Sequence, residues 1–90
     1  MKLNPEDALK VVFRPYVTEK TFDLIERQNK ICFLVDVKAS KKKIKSAIET
    51  LYQVRVQSVN TAITIIGKKA FVRLAPESSA TDLASKLGLV

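Results

Sequence analysis

The sequence predicts an α+β fold: a mainly antiparallel four-stranded sheet with helices packed on it, in the order β-α-β-α-β-β-α. Three observations predict this class. One run is apolar at nearly every position, as in a central strand, and two later runs alternate on either side of a glycine, as in a hairpin. Three further stretches begin at residues that cap helices. Because 90 residues with three prolines and two glycines leave little room for linkers, we expect residues 1–90 to form one domain.

The first third of the chain predicts a short strand followed by a helix. A helix start at residues 4–5 leads into a strand over residues 11–14, which should end before Pro15 because proline lacks a backbone donor. Thr18 then caps a helix over residues 19–28.

Residues 30–37 give the clearest strand signal, because most side chains on both faces are apolar, and we expect a central strand covered on both sides. Cys32 lies in this run and is interpreted as a small core residue. Ser40 then caps a second helix whose apolar residues fall on one stripe, and Ser79 caps a short final helix.

Residues 54–66 and 69–75 predict a hairpin around Gly67-Lys68, because glycine suits the first central position of a type II′ turn. A change in the phase of alternation indicates a bulge near residues 57–58. Counting outward from the turn gives one apolar face, with Ile65 opposite Ala70, Ile63 opposite Val72 and Thr61 opposite Leu74.

Positive charge is concentrated in residues 37–75. The net charge is +7, and residues 37–75 carry nine basic side chains and one acidic one, against seven and eight in the remaining residues. One strongly cationic half predicts a polyanionic partner, most commonly a nucleic acid. The alternative is a solubilising surface, although solubility favours interspersed signs.

Several lysines crowd the start of the predicted second helix. Cations there oppose the helix dipole and one another, at a cost of about 0.3–1 kcal/mol each when exposed. We interpret them as contacts to phosphate groups, and the alternative is an ordinary solvated face. The lysines assigned to RNA binding in and just before this helix are Lys38, Lys41, Lys42, Lys43 and Lys45.

The second face of the predicted hairpin holds the aromatic ring of Phe71. This face combines a flat ring for bases, cations for phosphates and small polar groups for hydrogen bonds, as an RNA-binding surface requires. We expect this ring and the lysines to lie on one side of the domain. The alternative is that Phe71 packs under a helix. The predicted neighbours of the ring are Lys69, Arg73, Thr64 and Asn60.

The composition excludes several enzyme classes. The absence of histidine and the presence of one cysteine rule out a His-based acid–base relay, a CxxC site and an internal disulfide. Glu19 and Asp23 lie four residues apart on a predicted helix, a spacing that is common on solvated helices. We therefore predict no enzymatic activity, no cofactor and no metal site. Without a signal-peptide pattern or an apolar stretch of about 18 residues, we expect a soluble cytoplasmic protein with no membrane span.

Three segments carry a family resemblance. Residues 56–61 read VQSVNT, residues 67–74 read GKKAFVRL and residues 14–20 read RPYVTEK. The first two resemble the signature hairpin of the universal large-subunit ribosomal protein twenty-three family, and the third is similar to its early Pro-x-x-[Thr/Ser]-Glu-Lys motif. The tail from residue 75 to residue 88 looks like the archaeal form. Together these segments cover nearly the whole chain in the right order.

The resemblance implies a structural protein that binds large-subunit ribosomal RNA beside the exit of the polypeptide tunnel. It also implies contact with a neighbouring ribosomal protein and a docking surface for nascent-chain factors such as signal recognition particle. Glu19 matches an exposed acid that helps to hold a ribosome-associated chaperone in bacterial relatives. We expect the free protein to be a monomer. The positions that match the family's RNA-facing, basic and aromatic residues are Asn60, Thr61, Lys68, Lys69, Phe71 and Arg73.

One family feature is missing, and three other classes fit less well. Bacterial members extend the hairpin into the tunnel, a distance that the two residues Gly67-Lys68 cannot span. A chromatin protein of the Alba type also relies on an extended hairpin, and an RNA-recognition-motif domain has a different order of strands and helices. A small basic enzyme would need catalytic residues that the sequence lacks.

Overall fold

The computed structural model describes residues 4–88 and has the predicted α+β class. The described residues form four helices and one four-stranded antiparallel sheet, in the strand order β1-β2-β4-β3. In chain order the elements are α1 (Pro5–Val11), β1 (Val12–Pro15), α2 (Glu19–Gln28), β2 (Lys30–Val35), α3 (Lys41–Tyr52), β3 (Val56–Thr64), β4 (Gly67–Leu74) and α4 (Ala80–Lys86).

The side chains of β2 confirm that it is a central strand. It pairs with β1 on one side and β4 on the other, and every side chain from Ile31 to Val35 is buried. Cys32 is among them, as predicted, with 1% of its surface exposed. β1 and β3 are therefore the edges of the sheet.

One face of the sheet holds the main core, to which all four helices contribute side chains. Because side chains alternate along a strand, every second residue of β2, β3 and β4 points to this face. The helices add Ile25 from α2, the predicted stripe of α3, and small or aliphatic residues from α1 and α4. The largest fully buried side chains of this core are Phe33, Ile31, Ile44, Ile48, Leu74, Val12, Val35 and Val72.

The predicted capping residues Thr18, Ser40 and Ser79 cap α2, α3 and α4, as expected. The side-chain oxygen of Thr18 accepts from Thr21 N at 3.3 Å, and that of Ser40 accepts from Lys43 N at 3.2 Å. Ser79 caps α4 in the same way, accepting from Asp82 N at 3.2 Å. Each bond satisfies one of the backbone donors that a helix start leaves without an intrahelical partner.

The boundaries of two strands differ from the prediction. β1 spans Val12–Pro15 and starts one residue later than predicted, because the preceding helix continues to Val11. The expectation that the strand would end before Pro15 was wrong: Pro15 is its last residue and pairs with Phe33, and an edge strand tolerates a proline. β2 ends at Val35 rather than at residue 37. The Asp36 carboxylate accepts from Lys38 N at 3.0 Å, and this side-chain turn competes with further strand pairing. Val37 is consequently more than half exposed.

The predicted hairpin exists, but its register was wrong by four residues. Ala70 pairs with Thr61 rather than with Ile65, and the turn is Ile65-Ile66 rather than Gly67-Lys68. Neither isoleucine has a positive φ, so the turn is neither type I′ nor type II′. Gly67 takes φ +125° directly after the turn, a conformation in which β-branched residues are strained. Because four is an even number, each side chain still keeps its predicted face.

The predicted bulge is confirmed at residue 57. Val56 pairs with Leu74 and Ser58 pairs with Arg73, so Gln57 is the additional residue in β3. The backbone N–H of Val56 donates to Glu49 Oε2 at 3.1 Å. Glu49, the one acidic residue within residues 37–75, therefore stabilises the start of β3.

Asn29 connects three elements, a role that the sequence analysis did not predict. It ends α2 in the left-handed conformation, with φ 54°. Its side-chain nitrogen donates to the carbonyl oxygens of Leu74, Ala75 and Ser78 at 3.0–3.3 Å. Its side-chain oxygen accepts from Ala80 N at 2.7 Å. These bonds join α2 to the end of β4 and the start of α4.

Replacing Asn29 by glycine should destabilise the protein. Glycine tolerates the left-handed backbone, so the variant removes the side-chain hydrogen bonds without adding backbone strain. We expect the free energy of unfolding to fall by about 2–4 kcal/mol, since each bond contributes about 1 kcal/mol and the unpaired groups add a desolvation cost. Urea denaturation followed by circular dichroism measures this change.

The matched control is Gln53→Gly. Gln53 ends α3 with φ 53° and is exposed. Glycine there relieves the left-handed strain and should leave stability equal or slightly raised. Equal losses in both variants would mean that the Asn29 side chain is not the connection described above.

Candidate nucleic-acid interface

The face of the sheet opposite the main core carries three of the four predicted RNA-binding residues of β4. Because Ala70 and Val72 point into the core, the alternating residues Lys69, Phe71 and Arg73 point away from it. Asn60 pairs with Phe71 and therefore shares this face. We call these four residues the open-face set. Arg73 and Asn60 are exposed, whereas Lys69 and Phe71 are half-buried.

Phe71 neither joins the main core nor stands free. It lies outside the main cluster of buried residues and pairs with Cys32 across the sheet. Cys32 and Leu34 point to the open face, yet both are buried. The open face therefore has a small apolar floor at its centre, and Phe71 forms part of its cover.

Lys69 contacts an aromatic ring that sequence analysis did not assign to the site. Its Nζ lies 4.2 Å from the centroid of the Tyr16 ring, within the range of a cation–π contact. The Tyr16 N–H donates to Cys32 O at 2.9 Å, which fixes this residue beside the open face. A groove of about 510 Å³ runs between this face and α2, lined by both Tyr16 and Phe71.

Lys68 has a different environment from Lys69. Lys68 directly precedes Lys69 in β4, and adjacent side chains of a strand point to opposite faces, so Lys68 points to the helix-covered side. Its Nζ donates to Ala39 O at 2.7 Å and also reaches Val37 O at 3.5 Å. The Lys68 ammonium therefore holds the loop between β2 and α3 against the hairpin. Thr61, the neighbour of Asn60, likewise points to the covered side, where it pairs with Ala70 and is half-buried.

The predicted lysines of α3 are exposed and lie at its start. Lys41, Lys42 and Lys43 form its first turn, which contains no acidic residue. Lys45 follows in the second turn, and Lys38 precedes the helix in the loop that Lys68 holds. These five side chains surround the positive end of the α3 dipole, as the sequence predicted.

The expectation that these lysines and Phe71 lie on one side was wrong. The buried stripe of α3 packs on the core face of the sheet, whereas Phe71 lies on the open face. A helix pattern defines which side of the helix is buried but not which face of the sheet it covers. The contact of Lys68 with Ala39 brings the loop before α3 beside the hairpin end of the sheet. Lys69, the next residue of β4, is therefore the member of the open-face set that is nearest in sequence to this contact.

Glu19 is exposed in the first turn of α2, after the capping residue Thr18. A shallow surface groove lies beside it, lined by Val17, Phe22 and Asp23 as well. The acid therefore stands next to apolar side chains, a combination that suits recognition of a protein with a basic and apolar surface.

The residues of α2 that line the groove beside Phe71 were missed. Lys20, Leu24 and Arg27 fall at positions i, i+4 and i+7, which places them on one side of the helix. This spacing was visible in the sequence. The sequence did not show that this side of α2 borders the open face, because that depends on how the helix packs.

Within residues 4–88, no group of three or more Asp, Glu or Cys side chains could hold a metal ion. In the same part of the chain, no helix has the length and apolar character needed to cross a membrane.

Comparison with known proteins gives a consistent result. The model of the family described as ribosomal protein L23 matches residues 10–74. The chain is also 44% identical over 84 residues to the large ribosomal subunit protein uL23 of Methanothermobacter thermautotrophicus, covering 92% of this chain and 98% of that protein. The chain belongs to the ribosomal protein L23 family. This confirms the resemblance seen in the hairpin and the early motif, and the family is one of ribosomal proteins rather than enzymes.

The thiol of Cys32 should be unreactive in the folded protein. Burial raises its pKa from 9.0 to about 11, partly offset by the nearby Lys69 ammonium. A disulfide reagent at pH 8 should therefore modify Cys32 only as fast as the protein unfolds.

Because the folded state holds the Cys32 proton more tightly than the unfolded state, the free energy of unfolding should also fall as the pH rises from 9.0 to about 11.

A Cys32→Ala variant serves as the control. Burial also raises the pKa of Tyr52, but this contribution to the pH dependence is the same in both proteins. The difference in stability between them should therefore change with pH only through Cys32. Rapid thiol modification under native conditions would contradict the buried position.

Proposed function

We propose that this protein is a structural constituent of the large ribosomal subunit that binds large-subunit ribosomal RNA beside the exit of the polypeptide tunnel. Family membership supports the ribosomal role. The observation that carries the RNA contact is the group of exposed lysines at the start of α3, where no acidic residue offsets them. Such an arrangement opposes folding stability and favours a bound polyanion.

We assign different tasks to the predicted RNA-binding residues. Lys38, Lys41, Lys42, Lys43 and Lys45 contact phosphates, assisted by the free backbone N–H groups of the α3 first turn. The open-face set contacts unpaired nucleotides. Lys68 and Thr61 support these surfaces from the covered side, since Lys68 fixes the loop before α3.

Reversing the charge of Lys41 and Lys42 should raise stability and weaken RNA binding at once. Glutamates in the first turn of α3 would interact favourably with the dipole, so the free energy of unfolding should rise by about 1–2 kcal/mol. Affinity for a large-subunit rRNA fragment should fall, and the salt dependence should lose about 0.7–0.9 in log–log slope per phosphate contact removed. Urea denaturation and filter binding at several salt concentrations measure the two effects.

The control variant carries Lys10→Glu and Lys86→Glu, at two exposed positions in the last turns of α1 and α4. The net charge of the protein changes by the same amount as in the α3 variant, but acids at these positions oppose the helix dipoles and should lower stability. The salt slope should stay unchanged. An equal loss of slope in both variants would mean that RNA responds to the overall charge of the protein rather than to α3.

We place the contact with the neighbouring ribosomal protein at the hairpin turn. Ile63, Ile65 and Ile66 are more than half exposed there, which leaves an apolar patch without cover in the described chain. Patches of this kind mark interaction sites on small proteins. The free chain is proposed to be a monomer that forms one domain and acquires this cover on assembly.

We also propose that Glu19 helps to dock nascent-chain factors such as signal recognition particle. Its exposure beside the shallow groove at the start of α2 supports this assignment. In ribosomes rebuilt with Glu19→Lys, binding of signal recognition particle should weaken about tenfold, because a charge reversal places like charges in contact. Cosedimentation with ribosomes measures the affinity.

Glu26→Lys is the matched control for this variant. Glu26 is exposed on the same helix, away from the groove at its start. It should leave factor binding unaltered. If Glu19→Lys ribosomes retain full affinity, Glu19 is not part of the docking surface, whereas the RNA-binding proposal is unaffected.

A further inference from the structure

The groove between α2 and the open face has two walls of different chemistry. One wall consists of the rings of Tyr16 and Phe71 with the Lys69 ammonium over the Tyr16 ring. The other is the side of α2 that carries Leu24 and polar or charged residues. The α2 residues that line the groove, with its capping residue, are Thr18, Lys20, Thr21, Asp23, Leu24, Arg27 and Gln28.

The charges lining the groove favour an anion. Lys20, Arg27 and Lys69 contribute three positive charges and Asp23 one negative charge, which leaves a net charge of +2. Both rings border the same space as these cations. A ligand that carries a flat aromatic part and a phosphate would therefore satisfy both walls.

The dimensions and the surrounding surface restrict this ligand further. A volume of about 510 Å³ lies within the range of small-molecule pockets and can accept one nucleotide but not a helix. A paired base in an RNA duplex cannot present its face to a ring, whereas an unpaired base can. The groove also opens beside exposed Asn60 and Arg73, which could continue along the same RNA chain.

We propose that this groove binds a single unstacked nucleotide of RNA, with its base against Phe71 and Tyr16 and its phosphate near Arg27 and Lys20. This inference rests on the proposed RNA-binding function and adds a second contact of a different kind. The α3 lysines hold phosphates of any RNA, whereas the groove selects RNA in which a base is free to leave the stack.

The chain provides its own spectroscopic probe for this contact. It contains two tyrosines and no tryptophan. Tyr16 lines the groove, whereas the Tyr52 ring stacks on Phe33 in the core, with centroids 5.5 Å apart. In a Tyr52→Phe variant all tyrosine emission therefore comes from the groove, and in a Tyr16→Phe variant none does.

The experiment titrates both variants of the full chain with an uncapped single-stranded RNA hexamer and with a perfectly paired RNA duplex of equal charge. We expect the hexamer to quench the emission of Tyr52→Phe and to leave Tyr16→Phe unchanged. The duplex should bind through its phosphates without quenching either protein. If the hexamer binds without quenching Tyr16 emission, the groove does not take the base, although RNA binding itself stands. If neither RNA binds, the proposed function fails and the inference fails with it.

Affinity measurements separate stacking from charge. Phe71→Ala should weaken hexamer binding about five- to hundredfold without changing the salt slope, because a stacked base releases no counterions. Phe13→Ala removes an exposed ring of β1 and serves as the control. Arg27→Gln should lower the salt slope by about 0.7 through one lost phosphate contact. Equal behaviour of the two phenylalanine variants, with both folded by circular dichroism, would overturn the assignment.

Discussion

The main core occupies only one face of the sheet, and this constraint determines which side chains of the last strand remain available for contacts. Ala70, Val72 and Leu74 of β4 are buried beneath the helices, so Lys69, Phe71 and Arg73 must lie on the other face. The centre of that face is nevertheless covered, because Cys32 and Leu34 are buried there and α2 borders it across a groove. Its exposed part carries Asn60 and Arg73. These residues are the ones available for the proposed contacts.

Two polar side chains hold this arrangement together from opposite ends of the sheet. Asn29 joins the end of α2 to the end of β4 and the start of α4, whereas Lys68 ties the loop before α3 to the beginning of β4. Neither contact could be inferred from periodicity, because both depend on which elements are neighbours in space. The Lys68 contact also has a functional consequence. It brings the loop that carries Lys38, and with it the start of α3, to the hairpin end of the sheet.

The sequence determined the elements and the faces of the strands better than their positions relative to one another. Hydrophobic alternation and the caps Thr18, Ser40 and Ser79 predicted the fold class, a bulge near residues 57–58 and the position of Phe71 on the face opposite the apolar one. The hairpin register was wrong because a glycine with positive φ can follow a turn as well as occupy it. The side of the sheet occupied by α3 was also misjudged. A helix stripe specifies its buried side, but only packing decides which sheet face receives it.

The separation of the two cationic groups favours an RNA with both paired and unpaired parts. The α3 lysines present charge without an aromatic ring and therefore suit a phosphate backbone of any sequence. The open face presents a ring whose contact requires a base outside a duplex. These surfaces lie on different layers of the domain, so the two proposed RNA contacts face different directions. An RNA that makes both contacts must therefore turn around the domain, and a protein bound to such a turn would stabilise it.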